Sequence, residues 1–325
     1  MNNSSPLFTA LTSGDRGALG RAITLMESIH PKDYEAKISL LSSSIPNASS
    51  SVRIAVTGAP GVGKSSLIEH IGIMLIEAGH RVAVLAIDPS SERTGGSILG
   101  DKTRMPALSR HSNAFIRPSP TSGVLGGVAQ MTRESIFLCE AAGYDRIIVE
   151  TVGIGQSETS VATLSDLVVF VTMSGSGDAL QGIKRGIMEV IDLVAVNKSD
   201  GENEQLSKNF ASELTAALHL LHGSAEPPSV LLTSAATKLG LDGLLEQIES
   251  QIKLSVSTGD FSSKRKKQLE LWFEQATTHS LTQNLRRVAD VSELHSDLLR
   301  QVKDGSIHPF VAANLLVSKL LSPLN

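Results

Sequence analysis

The sequence has only one cysteine and no long apolar run. A single cysteine, Cys139, cannot form a disulfide within the chain, which is typical of a protein in a reducing compartment. No stretch of 18 apolar residues occurs, so a membrane-spanning helix is not expected. The first residues also lack the basic start and apolar core of a secretory signal. We therefore expect a cytoplasmic protein without membrane contact.

An excess of positive charge is absent too. The chain has 29 lysines and arginines against 33 aspartates and glutamates, which gives a net charge of -4. A nucleic-acid-binding protein normally has a concentrated basic surface, so no nucleic-acid partner is expected. One short basic run, Lys-Arg-Lys-Lys at residues 264–267, begins an amphipathic helical pattern, and we interpret it as a solvated helix face.

Three regions follow one another along the 325 residues. Apolar residues recur at helical spacing from about residue 7 to 41, and the serine-rich segment 42–51 then resembles a linker. Short apolar runs alternate with helical stretches in the middle of the chain, and beyond about residue 254 only helical patterns remain. These changes predict a helical extension over 1–50, a central domain over 51–255 and a C-terminal helical arm over 256–325.

The alternation in the central region predicts the fold class. Strands that alternate with helices form a doubly wound, mostly parallel sheet that helices cover on both faces. We therefore predict an α/β domain with N-terminal helices and a C-terminal helical arm. The predicted strands are 52–57, 82–88, 114–117, 145–150, 167–172, 193–197 and 230–233.

A glycine-rich loop follows the first predicted strand and opens a helix. Its sequence, Gly-Ala-Pro-Gly-Val-Gly-Lys-Ser at residues 58–65, is the phosphate-binding P-loop motif in its required setting. Glycines let successive amide groups point at a phosphate, and the helix N-terminus adds partial positive charge. Lys64 is expected to neutralise the β- and γ-phosphate oxygens during catalysis. The predicted phosphate-binding residues are Gly58, Ala59, Pro60, Gly61, Val62, Gly63, Lys64, Ser65 and Ser66.

The sequence Asn-Lys-Ser-Asp at residues 197–200 follows the sixth predicted strand and matches the guanine-recognition motif of GTPases. A carboxylate at Asp200 can accept hydrogen bonds from N1–H and the 2-amino group of guanine, and adenine offers neither donor there. Asn197 is expected to hold the loops together, and the Lys198 stem to cover the base. Ser234 and Ala235, after the next strand, are similar to the loop whose amide contacts guanine O6. The sequence therefore predicts GTP as the substrate.

Three acidic residues stand where they can supply hard oxygen ligands to Mg²⁺. Asp88 and Glu150 close two of the predicted strands, so they belong at the same sheet edge as the P-loop. Asp101 lies in a glycine-rich stretch, and Gly153 is expected to offer its amide to the γ-phosphate. The predicted metal ligands are Ser65, Asp88, Asp101 and Glu150.

Longer sequence blocks give the chain a specific resemblance. Ala-Ile-Asp-Pro-Ser-Ser at 86–91, Gly-Gly-Ser-Ile-Leu-Gly-Asp-Lys-Thr-Arg-Met at 95–105 and Val-Glu-Thr-Val-Gly-Ile-Gly-Gln-Ser-Glu at 149–158 resemble the MeaB/ArgK family of P-loop GTPases. The blocks at 177–186 and 305–313 resemble the same family, so the resemblance spans nearly the whole chain.

This resemblance implies a function. Members of the family bind GTP and Mg²⁺, hydrolyse GTP faster with their adenosylcobalamin-dependent acyl-CoA mutase, and form homodimers through C-terminal arms. The implied role is a metallochaperone that gates loading of the mutase cofactor or protects it. The block at 177–186 corresponds to an additional switch of the family, which implies catalytic roles for Asp178, Gln181 and Lys184. Lys184 is the residue expected to stabilise charge in the transition state.

Two other functions are weighed against this one. An ArgK-type kinase would transfer phosphate to a periplasmic transport protein, but the chain has no His-Arg-Asp catalytic loop, and a guanine motif does not suit ATP. A nickel-inserting GTPase is expected to have cysteine and histidine metal ligands, which the sequence lacks in a suitable pattern.

Overall fold

A computed structural model of the chain describes residues 6–28, 30–44, 51–88, 105–120, 127–151, 161–175, 185–222, 227–285 and 289–321. Its contacts divide the chain into two compact units, Met1–Arg265 and Lys266–Asn325. The boundaries predicted from the sequence, after residues 50 and 255, stay predictions.

The first unit is built around one seven-stranded sheet in which every neighbouring pair of strands is parallel. The strand order is β3-β2-β4-β1-β5-β6-β7. The chain therefore adds β2, β3 and β4 on one side of β1 and β5, β6 and β7 on the other. The doubly wound parallel sheet predicted from the sequence is therefore confirmed. The strands are β1 (Val52–Thr57), β2 (Val82–Asp88), β3 (Ala114–Pro120), β4 (Arg146–Thr151), β5 (Leu167–Thr172), β6 (Leu193–Val196) and β7 (Ser229–Leu232).

Helices connect the strands and continue beyond the sheet. Two short 3-10 helices, Pro31–Asp33 and Gly201–Asn203, precede α3 and α8. The α-helices are α1 (Pro6–Thr12), α2 (Arg16–Glu27), α3 (Tyr34–Ser44), α4 (Lys64–Glu77), α5 (Pro106–Arg110), α6 (Gly127–Ala141), α7 (Arg185–Met188), α8 (Glu204–His222), α9 (Leu241–Thr258), α10 (Asp260–Leu285), α11 (Ala289–Lys303) and α12 (Pro309–Leu321).

The sheet is buried on both faces because most residues of its central strands are apolar. Successive side chains of a strand point to opposite faces, so Ala55 of β1 joins one core cluster while Ile54 and Val56 join the other. The first cluster contains buried side chains of α1, α2, α3, α6, α7 and α8. The second contains those of α4, α5 and α9. A parallel sheet with both faces covered needs this continuous apolar composition.

The N-terminal helices pack on the first of these faces. The Asp15 side chain caps α2 by accepting hydrogen bonds from the amides of Gly17 at 2.7 Å and Ala18 at 3.2 Å. Helix α3 continues to Ser44, so the first three residues assigned to the serine-rich linker are helical, and that part of the prediction is wrong. The Ser44 hydroxyl is fully buried and donates to the Leu40 carbonyl, which satisfies it inside the helix.

Cys139 lies on α6 against the sheet and is completely buried. Burial raises the pKa of its thiol well above the ordinary value, and the nearby Glu140 carboxylate raises it further. The thiolate is the reactive form of cysteine, so this side chain is chemically inert in the folded protein.

The second unit is helical. Helices α11 and α12 contact each other, and several large apolar side chains in this unit remain exposed. Among the helices that the structure describes, none combines the length and the apolar composition needed to cross a membrane. The exposed apolar side chains of this unit are Leu269, Leu271, Phe273, Leu281, Leu299, Phe310, Val311, Leu315 and Val317.

A charged cluster lies where α10 begins, at the end of the sheet opposite the P-loop. The Arg265 guanidinium binds both carboxylate oxygens of Asp166, at 2.5 and 2.7 Å, and donates to the Ser51 carbonyl at 2.9 Å. The Lys264 ammonium donates to the Asp166 carbonyl at 2.7 Å. The carboxylate of Glu140 accepts from Arg53 at 2.8 Å and lies 3.5 Å from Arg265. The interpretation of the basic run as a solvated face is therefore wrong for Lys264 and Arg265.

We expect Arg265→Ala to lower the free energy of unfolding by about 3 kcal/mol, because it leaves the buried Asp166 carboxylate without its bidentate partner. Urea denaturation followed by circular dichroism measures the change. Arg21→Ala is the matched control, since Arg21 lies 3.8 Å from Asp15 and both side chains are about half exposed or more, so that variant should unfold close to the wild-type midpoint. Equal shifts for the two variants would contradict the assignment of Arg265 to a buried ion pair.

Candidate nucleotide-binding site

The P-loop connects the end of β1 to the start of α4, and two of its glycines are required by close contacts. Gly58 has a φ of 144°, and a Cβ atom there would lie 2.0 Å from the Val171 carbonyl oxygen. Gly63 has a φ of 94°, and a Cβ atom there would lie 2.4 Å from the side-chain nitrogen of Asn197. At both positions only glycine combines an unstrained positive φ with the absence of a Cβ atom that would clash.

Lys64 is the first residue of α4, and its side chain folds back over the loop. The ammonium donates hydrogen bonds to the carbonyl oxygens of Gly58 at 2.8 Å and Ala59 at 2.9 Å. The residue is only 5% exposed, so a positive charge lies inside the curl of the P-loop at a helix N-terminus. This arrangement attracts anions, and phosphate above all.

Ser65 and Glu150 bring two oxygen atoms together beside the loop. The Ser65 hydroxyl donates to a carboxylate oxygen of Glu150 at 2.7 Å, although the two residues are 85 positions apart in the chain. Glu150 is 1% exposed. A hydroxyl and a buried carboxylate at a P-loop are hard oxygen donors of the kind that Mg²⁺ prefers, so these two residues fit the metal.

The other predicted metal ligands are less fully placed. Asp88 ends β2, which pairs with β4, so its backbone lies at the sheet edge where Glu150 lies. Its side chain and the whole of Asp101 lie outside the described residues. Within the described ranges, no group of three histidine, cysteine, aspartate or glutamate residues is arranged to hold a metal ion.

Asn197 joins three loops at the ends of β1, β6 and β7. Its side-chain amide donates to the Val62 carbonyl of the P-loop at 2.8 Å, and its side-chain oxygen accepts from the Ala235 amide at 3.0 Å. Its own backbone amide donates to the Thr172 carbonyl at the end of β5 at 2.7 Å. Asn197 is 1% exposed, so it holds these loops in fixed relative positions.

The remaining residues of the Asn-Lys-Ser-Asp segment line the same place. Lys198 adopts a φ of 59°, and its ammonium donates to the Gly61 carbonyl at 2.8 Å, so its stem extends across the P-loop. The buried Ser199 hydroxyl donates to the Val196 carbonyl at 2.7 Å and stabilises the turn. Asp200 is half-buried and precedes a short 3-10 helix, with no side-chain capping bond to that helix.

Hydrogen bonds from its backbone amides fix the loop after β7. Ser234 is fully buried, and its amide donates to the Leu239 carbonyl at 2.9 Å. Because the Ala235 amide donates to Asn197, both predicted base contacts already have protein partners for their N–H groups. In this arrangement the two residues support Asn197, and their predicted contact with the base stays a prediction.

Two threonines at this edge were not predicted from the sequence. Thr57 immediately precedes the P-loop, Thr151 immediately follows Glu150, and their hydroxyls are 2.8 Å apart. Threonine is common in strands, so only the positions of these residues next to two motifs offered a signal. The predicted residues Gly153, Asp178, Gln181 and Lys184 lie outside the described residues, and their roles stay predictions.

Comparison with known proteins gives one family and several close relatives. Residues 19–290 match the family described as "Methylmalonyl Co-A mutase-associated GTPase MeaB". A Mycobacterium tuberculosis protein named "Probable GTPase Rv1496" is 47% identical over 313 residues, which cover 96% of this chain and 93% of that protein. The Mus musculus protein "Methylmalonic aciduria type A homolog, mitochondrial" is 40% identical over 328 residues, with 97% of this chain and 79% of that protein covered.

A solved structure shares the fold over almost the whole chain. "Crystal structure of LAO/AO transport system kinase" superimposes with a TM-score of 0.71 at 33% sequence identity. The match covers 97% of this chain and 96% of that one.

We expect Gly63→Ala to weaken nucleotide binding more than tenfold, because the new methyl group would displace Asn197 from its bonds to two loops. Gly61→Ala is the matched control, since Gly61 also has a positive φ, of 82°, but has no atom within 4 Å of its added Cβ. Titration with a fluorescent GTP analogue measures both affinities. Similar losses in the two variants would show that backbone strain alone, and not Asn197, determines the effect.

Proposed function

The chain belongs to the MeaB family of methylmalonyl-CoA mutase-associated GTPases, and we propose that its GTP hydrolysis serves an adenosylcobalamin-dependent acyl-CoA mutase. In this role it gates loading of the mutase cofactor or protects the cofactor from inactivation. The observation that supports the site most directly is the Asn197 side chain, which binds the P-loop and the loop after β7 at once. This supports the proposal that the P-loop and the loops after β6 and β7 bind one nucleotide together.

Lys64 and the P-loop amides are proposed to bind the triphosphate. The Lys64 ammonium, now bonded to two loop carbonyls, lies where a phosphate chain enters the curl of residues 58–65. In hydrolysis a water oxygen bonds to the γ-phosphorus, the bond between that phosphorus and the β,γ-bridging oxygen breaks, and GDP leaves. The ammonium and the helix N-terminus stabilise the negative charge that develops on the phosphate oxygens.

Mg²⁺ is proposed to be held by Ser65 and Glu150, with Asp88 and Asp101 completing the acidic surroundings. When bound, the ion neutralises charge on the β- and γ-phosphate oxygens. Glu150 orients the Ser65 hydroxyl through their 2.7 Å hydrogen bond, which keeps the serine oxygen directed at the edge of the P-loop. Gly153 is proposed to contact the γ-phosphate, so loss of that phosphate releases the following segment.

The guanine base is proposed to lie between Lys198 and the loop after β7. Asp200 accepts hydrogen bonds from N1–H and the 2-amino group, and the Lys198 stem covers one face of the ring. Ser234 and Ala235 border the base from the other loop, and their backbone bonds keep that loop rigid. An adenine in this place would leave the Asp200 carboxylate without donors, which favours GTP over ATP.

A homodimer is proposed from the surface of the second unit. Its exposed apolar side chains include Phe273, 69% exposed, and Phe310, 72% exposed. Large apolar side chains that are exposed in this number usually mark a surface that another protein covers. We propose that a second copy of the chain covers them. A cytoplasmic location is part of the same proposal and is supported by the single buried cysteine.

One other function has an observation in its favour. The solved structure that shares this fold is titled as a transport system kinase, which corresponds to the ArgK-type kinase considered above. We prefer the GTPase because the family and the mycobacterial relative are named as GTPases. The described residues contain no cluster suited to nickel or zinc, which gives a metal-inserting function no support from them.

The proposed partner is tested by measuring phosphate release from GTP and ATP with and without purified methylmalonyl-CoA mutase. We expect release from GTP alone, faster with the mutase, because the family association implies that docking completes the site. Lys184→Ala should lose most of this stimulation while retaining basal GTP binding. Lys208→Ala, at an exposed position of α8, should behave as wild type. Transfer of the γ-phosphate to a protein acceptor would favour the kinase, and an unchanged rate with the mutase would contradict the proposed partner.

Base recognition is tested with Asp200→Asn. Loss of two charge-assisted hydrogen bonds should weaken GTP binding about a hundredfold, while xanthosine triphosphate, which offers an acceptor where guanine has a donor, should bind better than GTP. Asp242→Asn on the exposed first turn of α9 is the control and should leave both affinities unchanged. Unaltered GTP affinity in the Asp200 variant would count against the guanine assignment.

A further inference from the structure

The hydroxyls of Thr57 and Thr151 form a buried pair at the C-terminal ends of their strands, next to the P-loop. Thr57 is the last residue of β1 and Thr151 the last residue of β4. The Thr151 hydroxyl donates to the Thr57 hydroxyl at 2.8 Å, and the two residues are 1% and 0% exposed. Water therefore does not compete for this bond, and neither hydroxyl is available as a surface contact.

The pair lies where the backbone pairing of the two strands ends. The parallel register of β1 and β4 runs from Val52 and Arg146 to Val56 and Glu150, one residue short of the threonines. Beyond that point β1 leads into the P-loop, and β4 ends at Thr151. The hydroxyl bond thus extends the connection between the strands by one residue past the last backbone pair.

Each threonine is held on its other side by a different part of the sheet. Thr57 is in register with Phe170 of β5, and Thr151 is in register with Ile87 of β2. The hydroxyl bond therefore joins two halves of the sheet, β1-β5-β6-β7 and β3-β2-β4. It lies at the C-terminal ends of β1 and β4, where the halves meet.

The two halves supply different parts of the proposed nucleotide site. The P-loop, the Asn-Lys-Ser-Asp segment and the loop after β7 follow strands of the first half, and they bind phosphate and base. Asp88 is the last residue of β2 and Glu150 the last but one of β4, both strands of the second half. The boundary between the halves thus separates the nucleotide-binding loops, which include Ser65, from the proposed acidic metal ligands.

A second side-chain bond crosses the same boundary on the opposite face. Glu150 points toward α4, where it accepts from Ser65, and Thr151 as the next strand residue points the other way. Ser65 and Glu150 are both proposed metal ligands, so their mutual bond depends on the metal. The threonine pair contains no proposed ligand, and its bond is available whether or not metal is bound.

We propose that Thr57 and Thr151 are positioning residues for GTP hydrolysis, which hold the metal-binding half of the site in register with the P-loop half. The inference rests on the proposed nucleotide site. The pair touches neither the nucleotide nor the metal in this proposal and acts through Gly58 and Glu150, its neighbours in the chain.

The test compares Thr57→Val, Thr151→Val and the double variant with wild type in single-turnover GTP hydrolysis. Valine has nearly the shape of threonine and the same strand preference, so it removes the hydrogen bond with little change in packing. We expect each single variant to hydrolyse GTP about threefold to tenfold more slowly, and to need more Mg²⁺ for half-maximal rate. GDP affinity should stay within about twofold of wild type, because the P-loop half is intact.

Two further comparisons separate positioning from general damage. The double variant should be no slower than the slower single variant, because one shared bond is lost only once. Thr151→Ser keeps the hydroxyl and should hydrolyse GTP at close to the wild-type rate. Ser44→Ala removes another fully buried hydroxyl, at the end of α3, and should change the melting temperature without changing hydrolysis.

Several results would overturn the inference. Wild-type rates in both valine variants would do so, as would equal losses of GDP affinity and hydrolysis, or additive losses in the double variant. If valine prevents folding, the serine variant decides alone, since a slow but folded Thr151→Ser protein contradicts the role of the hydroxyl. Failure of the wild-type protein to bind GTP would instead overturn the proposed function itself.

Discussion

The carboxamide of Asn197 is the interaction on which the geometry of the candidate site depends. It is buried, and it uses its donor for the P-loop and its acceptor for the loop after β7. If the loops separated, the buried amide would lose a hydrogen-bond partner and leave a polar group unsatisfied. Separation of the loops therefore costs free energy. Gly63 takes part in the same constraint because only a residue without a Cβ atom lets Asn197 approach the loop so closely. The loops proposed to bind the phosphates and the base are therefore held by one buried side chain.

The parallel sheet explains why residues far apart in sequence meet at this site. All seven strands point the same way, so the segments that follow them emerge at one edge. Ser65 and Glu150 meet there across 85 positions of the chain, and Thr57 and Thr151 across 94. The first pair crosses the boundary between the sheet halves on the α4 face and the second on the other face. Binding and hydrolysis can thus depend on different contacts within the same edge.

Much of the fold followed from local sequence patterns. The apolar runs predicted β1, β2 and β5 with their observed bounds, and the other strands to within three residues, because a doubly covered parallel sheet needs continuous apolar strands. The P-loop and the Asn-Lys-Ser-Asp segment were recognisable because their chemistry lies in consecutive residues. Lys264 and Arg265 were misassigned because their partner Asp166 lies about a hundred positions earlier, where no local pattern relates the two. The Thr57–Thr151 hydroxyl pair was not predicted for the same reason. The continuation of α3 to Ser44 was missed because serines occur at helix ends as well as in linkers.

The burial of Cys139 has a consequence for how the protein responds to oxidants. It is the only sulfhydryl group in the chain, and it is buried between α6, to which it belongs, and the sheet, with its pKa raised. Peroxide and mixed disulfides attack exposed thiolates, so the native protein offers them no cysteine target and two native copies cannot become covalently linked through sulfur. Only a chain whose α6 has separated from the sheet exposes this atom. Oxidative damage at cysteine is thereby restricted to molecules that have already lost their structure.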